Sequence, residues 1–384
     1  MLRSLLKFEI MIVNFIILQF LIRGFIPAPA EISINHFSTP FATPQRYLYV
    51  ALPGIRNYLE YGGHGLLVFD IDKGHKLVKH IPTQGLAPDG KPSNVKGIAV
   101  SLATQCVYIS TVHNLQCIHL QTEKLVWEKK FEKGCDRLSV SPDGKEIYVP
   151  SFEKEDWYVI DAATGVIKQV ISPGSGAHNT IYGLNGKEVY LEGLRSPNLT
   201  IVDAQNTAKQ RIVGPFSNNI RPFTVNGKQS LVYVNINDLL GFEIGDLKTG
   251  VKLHSIKVEG FEKGPVKRHG CPSHGIALTP DEKELWLADA YNQKIHVYDN
   301  TVMPPVLKQS ITLRDQPGWI TFSKEGDYAY PSTGEVIDTR TKKILSILQN
   351  QHGIPVQSEK MIEIDFRGKQ AVDAGDQFGI GRVL

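Results

Sequence analysis

The feature that most constrains this chain is a repeat. A short apolar strand followed by a polar turn comes back seven times: "VKGIAVS" ending at Ser101, "CDRLSVS" at Ser141, "HNTIYGL" at Leu184, "NIRPFTV" at Val225, "SHGIALT" at Thr279, "PGWITFS" at Ser323 and "EKMIEID" at Asp365. The successive ends lie 40, 43, 41, 54, 44 and 42 residues apart. A unit of that length cannot bury its apolar face alone and must stack on its neighbours. Four short strands in ~40–45 residues is the size of one propeller blade. The 34 Gly and 22 Pro, against 4 Met, fit a chain of many turns and few long helices.

The second strand of each unit recurs as well: "LYVALPG" (48–54), "VYISTVH", "IYVPSFE", "VYLEGLR", "VYVNIND", "LWLADAY" and, from Tyr328, "YAYPSTG". Successive side chains of a strand point to opposite faces, so the central aromatic packs against one neighbouring blade and its flanking aliphatics against the other. A third strand ends in an acidic turn ("FDIDKG", "IDAATG", "VDAQNT", "GDLKTG", "IDTRTK"). There Asp accepts local backbone N–H bonds, and a following Gly supplies positive φ. Seven first strands predict an all-β, seven-bladed β-propeller with four-stranded blades. Residues 46–82 hold three strands without a first, and "KMIEIDF" holds a first strand without a blade. Pairing the N- and C-terminal segments closes the ring and leaves no open sheet edge. The domain then runs 46–384, and whether "QAVDAGD" (370–376) adds a strand stays open.

The unit "SPDGKEIYV" (141–149), kept as "TPDEKELWL" at 279–287, resembles the YVTN-type β-propeller repeat family over about residues 46–366. Ser101, followed by "LATQ", and Val225, followed by "NGKQ", depart from the pattern. The resemblance implies the propeller fold. It does not fix a function, because such propellers serve as binding modules, as parts of redox enzymes and as lactone- or polysaccharide-acting enzymes.

Ahead of the repeats, "MLRSLLKFEIMIVNFIILQFLIRGFIPAPAE" has Arg3 and Lys7, an apolar run from Ile10 to Ile22 and then Ala28-Pro29-Ala30. That is the order of a secretory signal, although Asn14 and Gln19 interrupt the run. The run is shorter than the ~20 residues of a membrane-spanning helix. We expect a signal peptide over 1–30, a linker over 31–45, no stable membrane span after cleavage, and a secreted or periplasmic product that is monomeric. An uncleaved anchor and a cytosolic chain are the alternatives. Net charge is +3, too small to imply nucleic acid. Cys106, Cys117, Cys135 and Cys271 form no C-x-x-C pair. A Cys106–Cys117 disulfide between neighbouring strands and buried free thiols are both open readings.

A propeller's ligand face is built from the loops that enter the first strands and those that join second to third strands. The first set carries Lys96, Asp136–Arg137, His178–Asn179, Arg221, Ser273–His274, Gly318–Trp319 and Glu359–Lys360; the second includes Tyr58, Tyr61, His64, Asp289, Tyr291 and Asn292. From these, Arg137, His178, Arg221, His274, Asp289, Trp319, His64 and Tyr291 are the ligand-binding candidates. Guanidinium forks match planar anions such as carboxylate, phosphate or sulfate, and Trp319 offers an apolar platform for a ring. The bland alternative is that each Arg pairs with Asp136 or Glu153 to satisfy buried loops. Imidazoles with a carboxylate such as Asp289 could hold a divalent metal, yet no H-E-x-x-H spacing supports one, and no cofactor is assigned. The 54-residue interval inserts "GFEKGPVKRHGCPSH" on this face, where insertions in repeat arrays concentrate function.

Two readings follow. In the first, an exported module binds an anionic small molecule, glycan or protein partner on its channel face. In the second, a lyase- or lactonase-type enzyme acts on a carboxylate-bearing sugar or lactone. His178 or His274 would then be the catalytic base, with or without a metal, and Arg137 and Arg221 would hold the carboxylate.

Overall fold

The computed structural model describes residues 43–384. The expected signal peptide and most of the expected linker lie outside them, and the first strand begins at Gln45. Among the described residues, twenty-nine strands form seven separate sheets. Six are four-stranded meanders in which neighbours in sequence are neighbours in the sheet. Blade 1 is the exception: Met361–Arg367 pairs antiparallel with Gln45–Leu52, followed by Gly65–Asp70 and Lys76–Ile81. The ring is therefore closed by the two ends of the chain, with Tyr47 opposite Ile364 and Tyr49 opposite Ile362. Blades 2 to 7 then run 95–130, 139–171, 177–213, 220–257, 276–312 and 320–347.

The core is distributed rather than central. Each of seven apolar clusters draws its side chains mainly from two adjacent blades. The reason lies in the period-2 rule: every inner strand is buried on both faces, so its alternate side chains serve different interfaces. Tyr108, Tyr148, Tyr190, Tyr233 and Trp286, the central aromatics of the second strands, are fully buried. The fourth strands face solvent over most of their length, as in Ile167–Ile171, where Ile171 alone is buried.

Residues 370–376 do add a strand: Gln370–Ala374 lies beside Met361–Arg367 and makes blade 1 five-stranded. Beyond it the tail enters the end of the channel where first strands run into their turns. Leu278 N donates to Gly379 O, Gly381 N to Val225 O and Arg382 N to Pro280 O. Phe378 and Ile380 are buried in the cluster between blades 4 and 5. That end is plugged by the chain itself.

All four cysteines are free and buried. Cys106 stands opposite His119 and Cys117 opposite Tyr108, so the two are diagonal neighbours. Their thiols interact without a disulfide, which lowers Cys106 and raises Cys117.

Candidate functional site

At the opposite end of the channel the first strands begin, and there the polar groups converge. Glu359, just ahead of the ring-closing strand, is the hub. Its Oε2 accepts from Arg137 Nη2 at 3.0 Å and from Lys360 Nζ at 2.7 Å. Its Oε1 lies 3.1 Å from His269 Nδ1. The Arg137 guanidinium is stacked 3.5 Å over the Trp319 ring, which desolvates the cation and fixes its plane. Trp319 is anchored in turn by donating Nε1–H to Gln377 O of the tail plug.

Beside this hub, His274 Nδ1 bonds the Gly318 carbonyl at 2.9 Å. A carbonyl only accepts, so Nδ1 carries the proton and Nε2 is left as a bare lone pair. The His274 ring stacks on His269 at 4.9 Å and stands 6.3 Å from His178. His178 Nδ1 meets Glu192 Oε2 at 2.9 Å, and Asn179 Nδ2 donates to the same oxygen at 2.7 Å. Lys96 pairs with Asp136 at 3.5 Å. Arg221 donates through Nε to Asn237 Oδ1 at 2.6 Å, and no carboxylate pairs with its guanidinium among the described residues.

Burial controls the charges here. It drives His178 down to about 3 and His274 well below its ordinary range, so both imidazoles are neutral at pH 7. Burial pushes Glu192 up to about 8 and Lys360 down to about 7. Burial would raise Glu359 too, but Lys360 and the hydrogen bond from His269 hold it well below the usual carboxylate range. Several buried atoms have no hydrogen-bond partner: Asp136 Oδ2, Arg137 Nε, Glu192 Oε1 and His269 Nε2. Orphaned polar atoms in so small a volume are costly unless something else satisfies them.

The insertion between blades 5 and 6 builds one wall. Lys267 N donates to Gln316 Oε1 of blade 7's entry loop. Arg268 reaches Asp315, the Tyr61 hydroxyl and Gln357, and Arg56 Nη2 donates to its carbonyl. The segment thus straps from blade 6 across to blades 7 and 1 and sets His269 against Glu359. Gly318 makes room for it: a Cβ there would lie 2.0 Å from His269 Cε1 and 2.6 Å from Glu359 Oε1.

Five of the eight sequence-derived candidates, Arg137, His178, Arg221, His274 and Trp319, gather at this mouth. The other three sit in local loop contacts. His64 Nε2 bonds Thr83 Oγ1 at 3.2 Å. Asp289 is buried between His296 Nε2 at 3.1 Å and Asn292 Nδ2 at 2.7 Å. Tyr291 is exposed and its ring covers Gly264. Arg137 takes its partner from Glu359, not from Asp136 or Glu153. Glu359 and His269, placed by sequence only ahead of a first strand and in the insertion, join the site, and Glu192 is a functional candidate that the sequence reading did not name. Glu192 had a signal, a carboxylate breaking the apolar alternation of "VYLEG".

No protein-family model matches the sequence, and no curated protein matches it. Among solved structures, the chain is similar to Kuenenia stuttgartiensis hydrazine synthase, with TM-score 0.56 and 14% identity over 75% of this chain and 90% of that chain. It is also similar to the dihydro-heme d1 dehydrogenase NirN in complex with DHE, with TM-score 0.59 and 14% identity over 86% of this chain and 72% of that one. At that identity the likeness establishes the fold alone, a seven-bladed β-propeller.

Proposed function

We propose that this is an exported propeller of YVTN type whose channel mouth binds a small ligand through an anionic group. The observation that carries the reading is an imbalance of charge. Lys96, Arg137 and Arg221, with Lys360 only part-charged at neutral pH, face Asp136 and Glu359, while Glu192 is held protonated near neutral pH by burial. Arg137 is committed to Glu359, so the guanidinium that meets the ligand is Arg221, whose nitrogens beyond Nε have no carboxylate. Export rests on the N-terminal sequence, and the YVTN kinship on the unit at 141–149.

The test is calorimetric titration with a hexuronate and with its neutral hexose. Arg221→Met should weaken the hexuronate about tenfold or more, the value of one charge-assisted hydrogen bond pair. Equal binding of the neutral sugar, or no change in the variant, would sink the anion-site reading. A catalytic reading draws on the His178–Glu192 contact, a base with an orienting acid as in acid–base sites. Turnover of a lactone or uronate that His178→Ala abolishes without loss of affinity would favour it.

A further inference from the structure

We propose that His269, His274 and Glu359 form a binding site for one divalent transition-metal ion, of the zinc, iron(II) or manganese(II) class. The inference stands apart from the anion reading, because it uses different atoms and a different probe. One donor atom from each residue lies within 4.8 Å of the others. His269 Nδ1 and Glu359 Oε1 are 3.1 Å apart, which is the separation of two ligands bound at near right angles about ~2.1 Å from one ion. Two ligands of a tetrahedral ion stand ~3.4 Å apart, so a pair as wide as 4.8 Å closes by about 1.4 Å when the ion enters.

Three features beyond proximity point the same way. First, His274 is already in the ligating tautomer. A metal-binding imidazole characteristically donates its other N–H to a carbonyl or carboxylate, and His274 Nδ1 does so to Gly318 O, leaving Nε2 bare. Second, the His269 side chain is only 3% exposed, and its one polar contact runs from Nδ1 to Glu359 Oε1, so an ion that enters between the two replaces a single hydrogen bond. Third, Glu359 is oriented by outer contacts, because Arg137 and Lys360 hold Oε2 and leave Oε1 turned to the imidazoles. The missing side chain of Gly318 keeps the space beside these donors clear.

The two neighbouring cations oppose a dication, and that decides which ion fits. Calcium and magnesium depend on several charged oxygens, and this site offers one carboxylate whose charge is shared with Arg137 and Lys360. An ion that gains from imidazole nitrogen tolerates that arrangement better. Three protein ligands are one short of the closed four-ligand shell of a structural zinc, so a coordination position stays open toward the channel.

The full chain, stripped with chelator, is titrated with Co²⁺ and followed by its visible d–d absorption, then back-titrated with Zn²⁺. One equivalent should bind saturably and be displaced by Zn²⁺, with Mg²⁺ and Ca²⁺ ineffective. His269→Ala and His274→Ala should each weaken binding at least about tenfold, within the range for loss of a metal-supporting group, while His352→Ala, on an exposed turn outside the ligand set, should leave it unchanged. X-ray absorption of the zinc-loaded wild-type chain reads the ligands even if a variant fails to fold. It should show two imidazoles and a carboxylate. Binding without saturation at one equivalent, binding that survives His274→Ala, or a shell without imidazole would overturn the site.

Discussion

Glu359 accepts a 3.0 Å hydrogen bond from Arg137, which lies 222 residues earlier in the chain and two blades away around the ring. The strand that closes the propeller therefore also delivers the carboxylate on which the channel mouth is built. Closure and site assembly are one event.

The pair is buried, and breaking it should be expensive. Arg137→Met keeps the aliphatic stem over Trp319 but leaves Glu359 to Lys360 and His269. We expect a loss of ~3–5 kcal/mol, the usual cost of stranding one member of a buried ion pair. Combining it with Glu359→Gln should cost less than the two single changes together, because the stranded charge is gone. Urea denaturation of the four proteins checks this, and strict additivity would show that the contact carries no coupling.

The interblade aromatics give a second test. Trp286 is fully buried, lies edge-on to Phe322 at 5.2 Å, and donates Nε1–H to Glu284 at 2.9 Å. Trp286→Ala should destabilise by ~3–5 kcal/mol in chemical denaturation, as for other large buried aromatics. A loss below ~1 kcal/mol would place the ring outside the blade 6–blade 7 interface.

The same aromatics explain why the fold was readable from sequence. Tyr148, Tyr190 and Trp286 repeat at one position of a local pattern, so period and alternation are enough to place them. The site is different in kind. Arg137, His178 and His274 were found because each occupies the equivalent place ahead of a first strand. Glu359 shares that place, but nothing local distinguishes a carboxylate that will meet an arginine from one that faces water. His269 belongs to an insertion, where the repeat offers no register. Asp289, in a loop of the right set, spends its carboxylate on His296, seven residues on. Pairing across blades depends on the closed ring, which a linear pattern does not contain.

The tail separates two kinds of damage. Stopping the chain at Ala374 removes the plug: Leu278 N loses Gly379 O, Trp319 Nε1 loses Gln377 O, and two buried apolar side chains disappear. The ring keeps its closing strand, so we expect a monomeric protein with a clearly lowered melting temperature. Stopping at Val356 removes Met361–Arg367 and bares the edge of Gln45–Leu52, a template for intermolecular pairing. Size-exclusion chromatography should show aggregates for the second truncation only. A soluble, cooperatively unfolding protein ending at 356 would contradict the closure argument.

Glu192 makes a prediction about pH. In the folded protein it titrates at about 8, against 4.5 for the ordinary side chain, because burial disfavours its charge. Between those values the folded chain holds a proton that the unfolded chain releases, so rising pH favours unfolding through this window. His178 has the opposite sign: it titrates at about 3 when folded, so its contribution is lost as pH falls from about 6.5 toward 3. Lys360, at about 7 when folded, favours the folded state increasingly as pH rises above that value. Subtracting a Glu192→Gln variant isolates the carboxylate from both. The stability of wild type minus variant should fall between pH ~5 and ~8, by at most ~1.4 kcal/mol per unit, and level off above. Denaturant melts at half-unit steps supply the measurement. A difference that stays flat or rises over that window would mean that Glu192 is ionised in the folded protein, and that His178 is held by a carboxylate rather than by an acid.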